Sequence, residues 1–146
     1  MASFTLEEIE KATGASLLQK GEDAFVEGVS TDTRTISRGE LFIALIGENF
    51  NGHEFLKRAV LSGASAVMIS DASYGKDIDA HVSVFLEKDT KKGLEDLAHF
   101  HRMRFHVPVI GVTGSNGKTT TKDMITSILR TRFHVTATEK NFNNEI

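Results

Sequence analysis

The chain has 146 residues, a formal net charge of −3 and no cysteine. Its length suits one domain, or one domain and part of another, and its small negative charge provides no basic field that would draw it to nucleic acid or to an anionic membrane. The absence of cysteine excludes disulfides and thiolate metal sites.

The N-terminal segment predicts a helix rather than a signal peptide. It lacks the basic start of a secretion signal, and no apolar stretch of the chain reaches the ~18 residues that span a bilayer, so we expect a cytoplasmic protein without membrane insertion. Thr5 and Glu8 have the spacing of a capping box. Leu6 and Ile9 begin an apolar stripe at helical spacing, and Gly14 can end the helix.

The remainder of the first 106 residues alternates between strand and helix patterns. Strands are predicted at 25–30, 40–46, 66–70 and 82–86, and helices at 54–62 and 90–105. The segment ELFIALI at 40–46 is too apolar for a strand with one solvated face, so we expect it to be buried on both faces. The alternation as a whole predicts an α/β fold.

The strongest motif is the segment Gly114–Thr119 (GSNGKT), which lies between a predicted strand at 107–112 and a predicted helix at 118–132. A further strand is predicted at 134–137. A glycine loop between a strand and a helix binds phosphate because its backbone N–H groups and the helix N-terminus point at the anion. We therefore predict a loop that binds the phosphates of a nucleoside triphosphate at this position.

Each residue of the loop has a predicted role. The backbone N–H groups that approach phosphate oxygens belong to Gly114, Ser115, Asn116 and Gly117. Lys118 is the predicted catalytic residue because its ammonium group meets the β- and γ-phosphates, and the Thr119 hydroxyl is the predicted Mg²⁺ ligand. Thr120 either contacts the α-phosphate or faces solvent.

The spacing of this loop departs from the common GxxxxGK[ST] form. That form would require glycine at the position occupied by Val112. The observed spacing, GxxGKT counted from Gly114, is typical of a minority of phosphate-loop families. The departure therefore narrows the choice of family.

The segment TGSNGKTTTKDM resembles the phosphate loop of the Mur ligases, which add amino acids to the peptide of bacterial cell-wall precursors. Upstream, STDTR and GELFIALIGENFNGHEF are similar to the substrate-nucleotide region of the Mur ligases that act late in the series. Downstream, TEKNFNNEI is similar to a segment of the ligase that acts last. The resemblance covers essentially the whole chain.

The resemblance implies a domain organisation and a reaction. Residues 1–106 would form a small α/β domain that binds the UDP end of the substrate, and residues 107–146 would begin a central ATP-binding domain with a parallel sheet. The implied reaction joins D-Ala-D-Ala to UDP-N-acetylmuramoyl-tripeptide through an acyl phosphate, with ATP and Mg²⁺. Because the family's metal carboxylate and third domain would follow Ile146, we expect these residues alone not to catalyse ligation.

The resemblance also implies substrate contacts in the first domain. Thr33 and Arg34 align with the family's D-[ST]-R element near the UDP moiety, although Arg34 could equally form a local ion pair with Asp32 that fixes the loop. His53 lies at a DGH-like position of the family, with Asn51 where aspartate is often seen. It either contacts the uracil or caps the nearby helix.

Asn143 and Asn144 lie in an amide-rich segment after the last predicted strand. In an open α/β sheet, ligands gather outside the carboxyl ends of the strands, so we expect these amides to contact the substrate. The alternative is turn chemistry, since asparagine tolerates a left-handed backbone.

Three other functional interpretations stay open at this point. The chain could come from the sister ligase that adds the third amino acid, from a folate-type polyglutamylating ligase, or from a non-catalytic module that binds the UDP substrate. The segment NFNNEI and the upstream region that resembles a UDP-binding domain speak against the folate type. In any of these, the C-terminal ~40 residues would leave a sheet edge without partner strands. We therefore expect that part to be less stable or to self-associate.

Overall fold

The structure, a computed structural model, describes residues 2–138. The chain divides between Phe105 and His106 into two compact units, called here the first and the second unit. No helix within residues 2–138 is both long enough and apolar enough to cross a membrane.

The helices and strands are numbered here in chain order. The strands are β1 (Phe4–Thr5), β2 (Ser16–Gln19), β3 (Phe25–Val26), β4 (Gly28–Ser30), β5 (Glu40–Ile43), β6 (Ile46–Gly47), β7 (Phe50–Asn51), β8 (Ala66–Ile69) and β9 (Ser83–Leu86). The α-helices are α1 (Leu6–Thr13), α2 (Leu56–Leu61), α3 (Thr90–Met103) and α4 (Lys118–Leu129). Short 3-10 helices occupy Gly52–Phe55 and Ala72–Gly75.

Helix α1 begins and ends where the sequence predicts. The Glu8 backbone N–H donates to Thr5 Oγ1 at 3.2 Å, and the Thr5 backbone N–H donates to Glu8 Oε2 at 2.8 Å. This reciprocal pair is a complete capping box. Gly14 ends the helix in the left-handed conformation, with φ of 76°, which glycine adopts without a steric cost.

The first unit is built on a five-stranded sheet with the spatial order β2-β9-β8-β5-β4. Strands β4, β5, β8 and β9 run parallel, and β2 pairs antiparallel with β9 at one edge. Two antiparallel pairs, β1 with β3 and β6 with β7, lie outside this sheet. The predicted α/β class is confirmed.

Apolar side chains are buried on both faces of this sheet. On one face the core contains Leu41, Ile43, Met68 and Phe85 together with Ile9 of α1 and Leu97 of α3. On the other face it contains Phe42, Val67, Ile69 and Val84 together with Leu56 and Ala59 of α2. Successive strand residues point to opposite faces, so the apolar residues at 41–45 are buried on both sides as predicted, whereas Ile46 is 64% exposed.

Three predicted elements of the first unit differ in detail from the observed ones. The predicted strand 25–30 is two strands, because β3 pairs with β1 while β4 pairs with β5. The predicted strand 40–46 leaves the main sheet after Ile43. The predicted helix 54–62 begins with a 3-10 turn and continues as α2.

The second unit contains α4, but the two predicted strands that flank it are not formed in the described residues. Val109 and Ile110 are 69% and 58% exposed, and no strand is assigned at 107–112 or at 134–137. A β-strand exists only through hydrogen bonds to a neighbouring strand, and residues 106–138 supply no such neighbour. The strand predictions for these two segments are therefore wrong for this chain.

Candidate functional site

The phosphate loop adopts a backbone that requires glycine at two positions. Gly114 has φ of 146° and Gly117 has φ of 75°, both in the region that L side chains rarely adopt. Gly117 is the N-cap of α4, and no side chain caps this helix. The first-turn N–H groups of α4 are therefore left for another acceptor, which is the property that makes a helix N-terminus an anion site.

The ammonium group of Lys118 lies over the loop. Lys118 Nζ donates to the Gly114 carbonyl oxygen at 2.5 Å, and Lys118 is otherwise exposed. The cation is thus held against the first residue of the loop. Thr119 and Thr120 occupy the first turn of α4 and are exposed, so both hydroxyls are open to a ligand.

The residues present fit ATP with Mg²⁺. Magnesium keeps most of its water and needs only one or two protein ligands besides substrate phosphates. Within residues 2–138, no group of three His, Asp or Glu residues converges on a metal position. The Thr119 hydroxyl would hold the ion next to phosphates cradled by the loop.

A second set of candidate residues lies at the carboxyl edge of the sheet in the first unit. The parallel strands β4, β5 and β8 all end at this edge. Thr33 and Arg34 follow β4, whereas His53 follows β5 and Tyr74 follows β8. The carboxyl edge is where open α/β sheets bind their ligands, so the topology places the predicted substrate residues at a suitable position.

The ion pair between Asp32 and Arg34 is formed. Arg34 Nη2 lies 2.5 Å from Asp32 Oδ2, and Arg34 Nε lies 2.9 Å from Asp32 Oδ1. The Arg34 backbone N–H also donates to Asp32 Oδ1 at 2.9 Å, and these contacts lower the pKa of the Asp32 carboxyl to about 2. The Arg34 side chain is 79% exposed, so the turn fixes a guanidinium that still faces solvent. Thr33 is half-buried between the paired residues.

His53 is buried, with both ring nitrogens engaged. Only 4% of the residue is exposed. Nδ1 lies 2.7 Å from Asn51 Oδ1, and Nε2 accepts a hydrogen bond from the Ser70 backbone N–H at 3.0 Å. Burial lowers the pKa of His53 below its ordinary value, while the nearby Asp71 carboxylate opposes that change. His53 is not the helix cap, because that role belongs to Asn51.

Asn51 and Tyr74 belong to this site although the sequence analysis did not select them. Asn51 Oδ1 accepts the His53 backbone N–H at 3.0 Å and so caps the 3-10 helix. The Asn51 amide nitrogen lies 3.4 Å from the Tyr74 hydroxyl, and the rings of His53 and Tyr74 are 4.5 Å apart. The Asn-Gly dipeptide signalled a turn, but no sequence pattern indicated Tyr74.

Gly52 cannot carry a side chain where it lies. A Cβ atom added there would be 2.6 Å from the Leu45 carbonyl oxygen and 2.9 Å from the Ala44 carbonyl carbon. Gly52→Ala is therefore expected to displace the backbone and to lower the free energy of unfolding by about 1–3 kcal/mol, the usual effect of overpacking. Urea unfolding followed by circular dichroism measures this change.

Gly111→Ala is the matched control for that substitution, because no atom lies within 4 Å of the added Cβ. It is expected to leave the unfolding midpoint unchanged. An equal midpoint for both variants would mean that the backbone at Gly52 adjusts without cost.

Asn143 and Asn144 lie outside the described residues, so their predicted substrate contacts stay predictions. The same holds for the direct contacts predicted for Thr33, Arg34 and His53. Within the described residues, the structure brings His53 together with Asn51 and Tyr74, and it brings Lys118 to the glycines of the phosphate loop.

Segments of both units match models of known protein families. Residues 25–103 match the family described as Mur ligase family, catalytic domain, and residues 112–146 match the Mur ligase middle domain. The first match alone spans more than half of the chain. The chain therefore belongs to the Mur ligase family.

Within that family, the following relatives are similar to this chain. The UDP-N-acetylmuramoyl-tripeptide–D-alanyl-D-alanine ligase of Bacillus subtilis is 46% identical over 125 residues, which are 86% of this chain and 27% of that enzyme. A crystal structure of MurF from Acinetobacter baumannii superimposes with a TM-score of 0.85 at 30% identity, over 98% of this chain and 31% of that one. MurF from Thermotoga maritima, solved in complex with ADP, gives 0.70 at 32% identity, over 80% of this chain and 26% of that one.

The chain thus spans about 26–31% of the length of these relatives. The predicted resemblance to the Mur ligases, made from the phosphate loop and its flanking segments, is confirmed. One member of this ligase family, MurF from Thermotoga maritima, has been solved with ADP bound.

Proposed function

We propose that this chain supplies the UDP-substrate domain, residues 1–106, and the beginning of the ATP-binding domain, residues 107–146, of an ATP-dependent ligase. The ligase would join D-Ala-D-Ala to UDP-N-acetylmuramoyl-tripeptide in peptidoglycan precursor synthesis in the cytoplasm. The observation that carries this proposal is the phosphate loop, in which two left-handed glycines, an uncapped helix N-terminus and the Lys118 ammonium converge. The similarity to the B. subtilis ligase supports the choice of substrates.

In this proposal the second unit binds the triphosphate. The backbone N–H groups from Gly114 to Gly117 and the first turn of α4 would receive phosphate oxygens. Lys118 would leave the Gly114 carbonyl and pair with the β- and γ-phosphates, where its charge offsets the charge that develops during transfer. Magnesium, held through Thr119, would supply further charge neutralisation.

The proposed reaction has two chemical steps, a phosphoryl transfer and an amide formation. A substrate carboxylate oxygen attacks the γ-phosphorus of ATP, which forms an acyl phosphate and releases ADP. The amine of D-Ala-D-Ala then attacks the carbonyl carbon, forms the amide and releases phosphate. The contribution of the first unit is to hold the UDP end of the substrate at the carboxyl edge of its sheet.

A second candidate function is a non-catalytic module that binds only the UDP substrate. It is favoured by the second unit, which within residues 106–138 has one helix and no paired strand. The expectation that these residues alone do not ligate is compatible with both candidates.

Phosphate release by the full-length enzyme tests the proposal. Release from ATP is expected to require both UDP-N-acetylmuramoyl-tripeptide and D-Ala-D-Ala, and omission of either should reduce it to background. Activity with the UDP-dipeptide precursor and a diamino acid instead would identify the sister ligase. Binding of the UDP substrate without any ATP turnover would support the non-catalytic module.

A further inference from the structure

The buried imidazole of His53 joins three segments at the carboxyl edge of the sheet in the first unit. Its ring contacts Asn51 at the start of one 3-10 helix, Ser70 at the end of β8, and Tyr74 in the second 3-10 helix. Asn51 lies 23 positions before Tyr74 in the chain, and His53 lies 17 positions before Ser70. A single side chain therefore fixes their relative positions.

The hydrogen bonds of His53 determine its tautomer. Nε2 faces the Ser70 backbone N–H, which can only donate, so Nε2 must be the unprotonated acceptor. Nδ1 then carries the hydrogen and donates it to Asn51 Oδ1 at 2.7 Å. The imidazole is thus held in its neutral form with one defined donor and one defined acceptor.

This arrangement in turn fixes the Asn51 amide. Its oxygen accepts two hydrogen bonds, one from the His53 backbone N–H at 3.0 Å and one from the ring at 2.7 Å. Its NH₂ group must therefore point the other way, towards the Tyr74 hydroxyl at 3.4 Å. Rotation of the amide by 180° would place its hydrogens against two other donors.

Of the two groups that His53 fixes, Tyr74 is exposed and Asn51 is half-buried. Tyr74 is 39% exposed, and Phe50, next to Asn51, is 55% exposed. An amide N–H beside a phenol and an exposed ring offers hydrogen bonding and stacking to a flat base with carbonyl groups on its edge. A pyrimidine nucleotide has that chemistry.

We propose that His53 is a positioning residue that holds Asn51 and Tyr74 as a paired amide and phenol surface for the base of the UDP substrate. The inference rests on the proposed function, since it names the side chains that would act at the substrate site of the first unit. His53 itself, being buried, does not contact the ligand.

Protonation of His53 would break this arrangement. A hydrogen on Nε2 would point at the hydrogen of the Ser70 backbone N–H, so the bond between them would be lost. The Ser70 hydroxyl oxygen, 3.3 Å from Nε2, could accept the new hydrogen instead. The titratable groups that face the ring are Asp71, whose charge raises the pKa, and Tyr74. Because burial lowers the pKa of His53, the neutral form and its stabilising bonds are fully present above the ordinary value of about 6.5 and are lost as the pH falls through the lowered pKa of the folded protein.

Calorimetric titration of the full-length enzyme with UDP tests the proposal through two neutral variants. His53→Asn can still donate to Asn51 from the Nδ1 position, whereas His53→Gln keeps only the acceptor for Ser70. We expect His53→Gln to raise the Kd for UDP at least tenfold and His53→Asn to raise it less than threefold. In the parent enzyme Kd should rise as the pH falls from 7.5 to 5.5, and in His53→Asn it should stay constant.

Two further variants keep the test decisive if changes at His53 prevent folding. Tyr74→Phe retains the ring, removes the hydroxyl and is expected to raise the Kd for UDP about threefold. His99→Gln, an exposed histidine on α3, should leave Kd unchanged. Equal affinities for UDP in the parent, His53→Gln and Tyr74→Phe enzymes would overturn the positioning role, whereas a parent enzyme that does not bind UDP would instead overturn the proposed substrate.

Discussion

Lys118→Ala is expected to lower ATP-dependent phosphate release by the full-length enzyme at least ~100-fold, the usual consequence of removing one preorganised charge from a transition state. Lys118 is the cation that the structure places directly over the phosphate loop. The loss should fall mainly on kcat, because the charge on the transferred phosphoryl oxygens is greatest in the transition state. Steady-state kinetics with saturating substrates measures it.

The matched control is Lys91→Ala, which removes an equal charge from the first turn of α3, where Lys91 is half-buried. It is expected to leave kcat unchanged, since a solvated surface charge is screened over a short distance. Lys118→Arg should recover only part of the activity, because the bulkier guanidinium does not fit the position of a compact ammonium. If Lys118→Ala retained near-normal kcat, the loop would not be the triphosphate site.

Phe85→Ala is expected to lower the free energy of unfolding by about 3–5 kcal/mol. Phe85 is fully buried in β9, opposite Leu17 of β2 and Met68 of β8, and it packs with Ile9 of α1. Its removal would leave a cavity in the layer that joins the sheet to two helices. Domains are commonly stable by only about 5–15 kcal/mol, so the variant should be largely unfolded in mild urea.

Phe25→Ala is the control of identical chemistry at an exposed position, since Phe25 is 50% exposed. It should shift the urea midpoint by less than a third as much as Phe85→Ala does. Similar shifts for both variants would indicate that the sheet core tolerates a cavity at Phe85 by collapsing around it.

The parts of the fold that were predictable from the sequence depend on local interactions. The capping box of Thr5 and Glu8 and the left-handed Gly14 act within one helix, so their spacing alone determines where α1 begins and ends. Asp89 caps α3 in the same way, with its carboxylate accepting the Lys92 backbone N–H at 3.0 Å. The phosphate loop was predictable for the same reason, because its glycines, its lysine and the helix that follows are consecutive in sequence.

The parts that were not predictable depend on partners that are remote in sequence. Strand β2 was missed because SLLQ has no clear alternation, and it exists through pairing with β9. The segment at 107–112 has a strong strand composition but lacks such a partner in the described residues. Local propensity predicts which secondary structure a segment favours, but a strand forms only where a partner strand is available.

The carboxyl edge of the sheet in the first unit illustrates the same limit for the candidate site. His53 and Arg34 were found through a family resemblance, but the contact of His53 with Ser70 joins residues 17 positions apart. Tyr74 lies in a polar loop without a motif, and only the fold brings its ring to His53. The choice between an ion pair and a free guanidinium at Arg34 likewise required the observed geometry.

The hydrogen bonds around Asn51 also bear on the chemical ageing of the protein. Asparagine followed by glycine deamidates when the glycine nitrogen attacks the side-chain amide, and the chain has this dipeptide at Asn51–Gly52 and at Asn116–Gly117. The Gly52 nitrogen donates to the Leu45 carbonyl oxygen at 2.7 Å, and the Asn51 oxygen is held by His53. Asn116 is exposed in the phosphate loop. Prolonged storage would therefore place a new negative charge in the phosphate loop first, where it would repel a phosphate group, while Asn51 stayed intact.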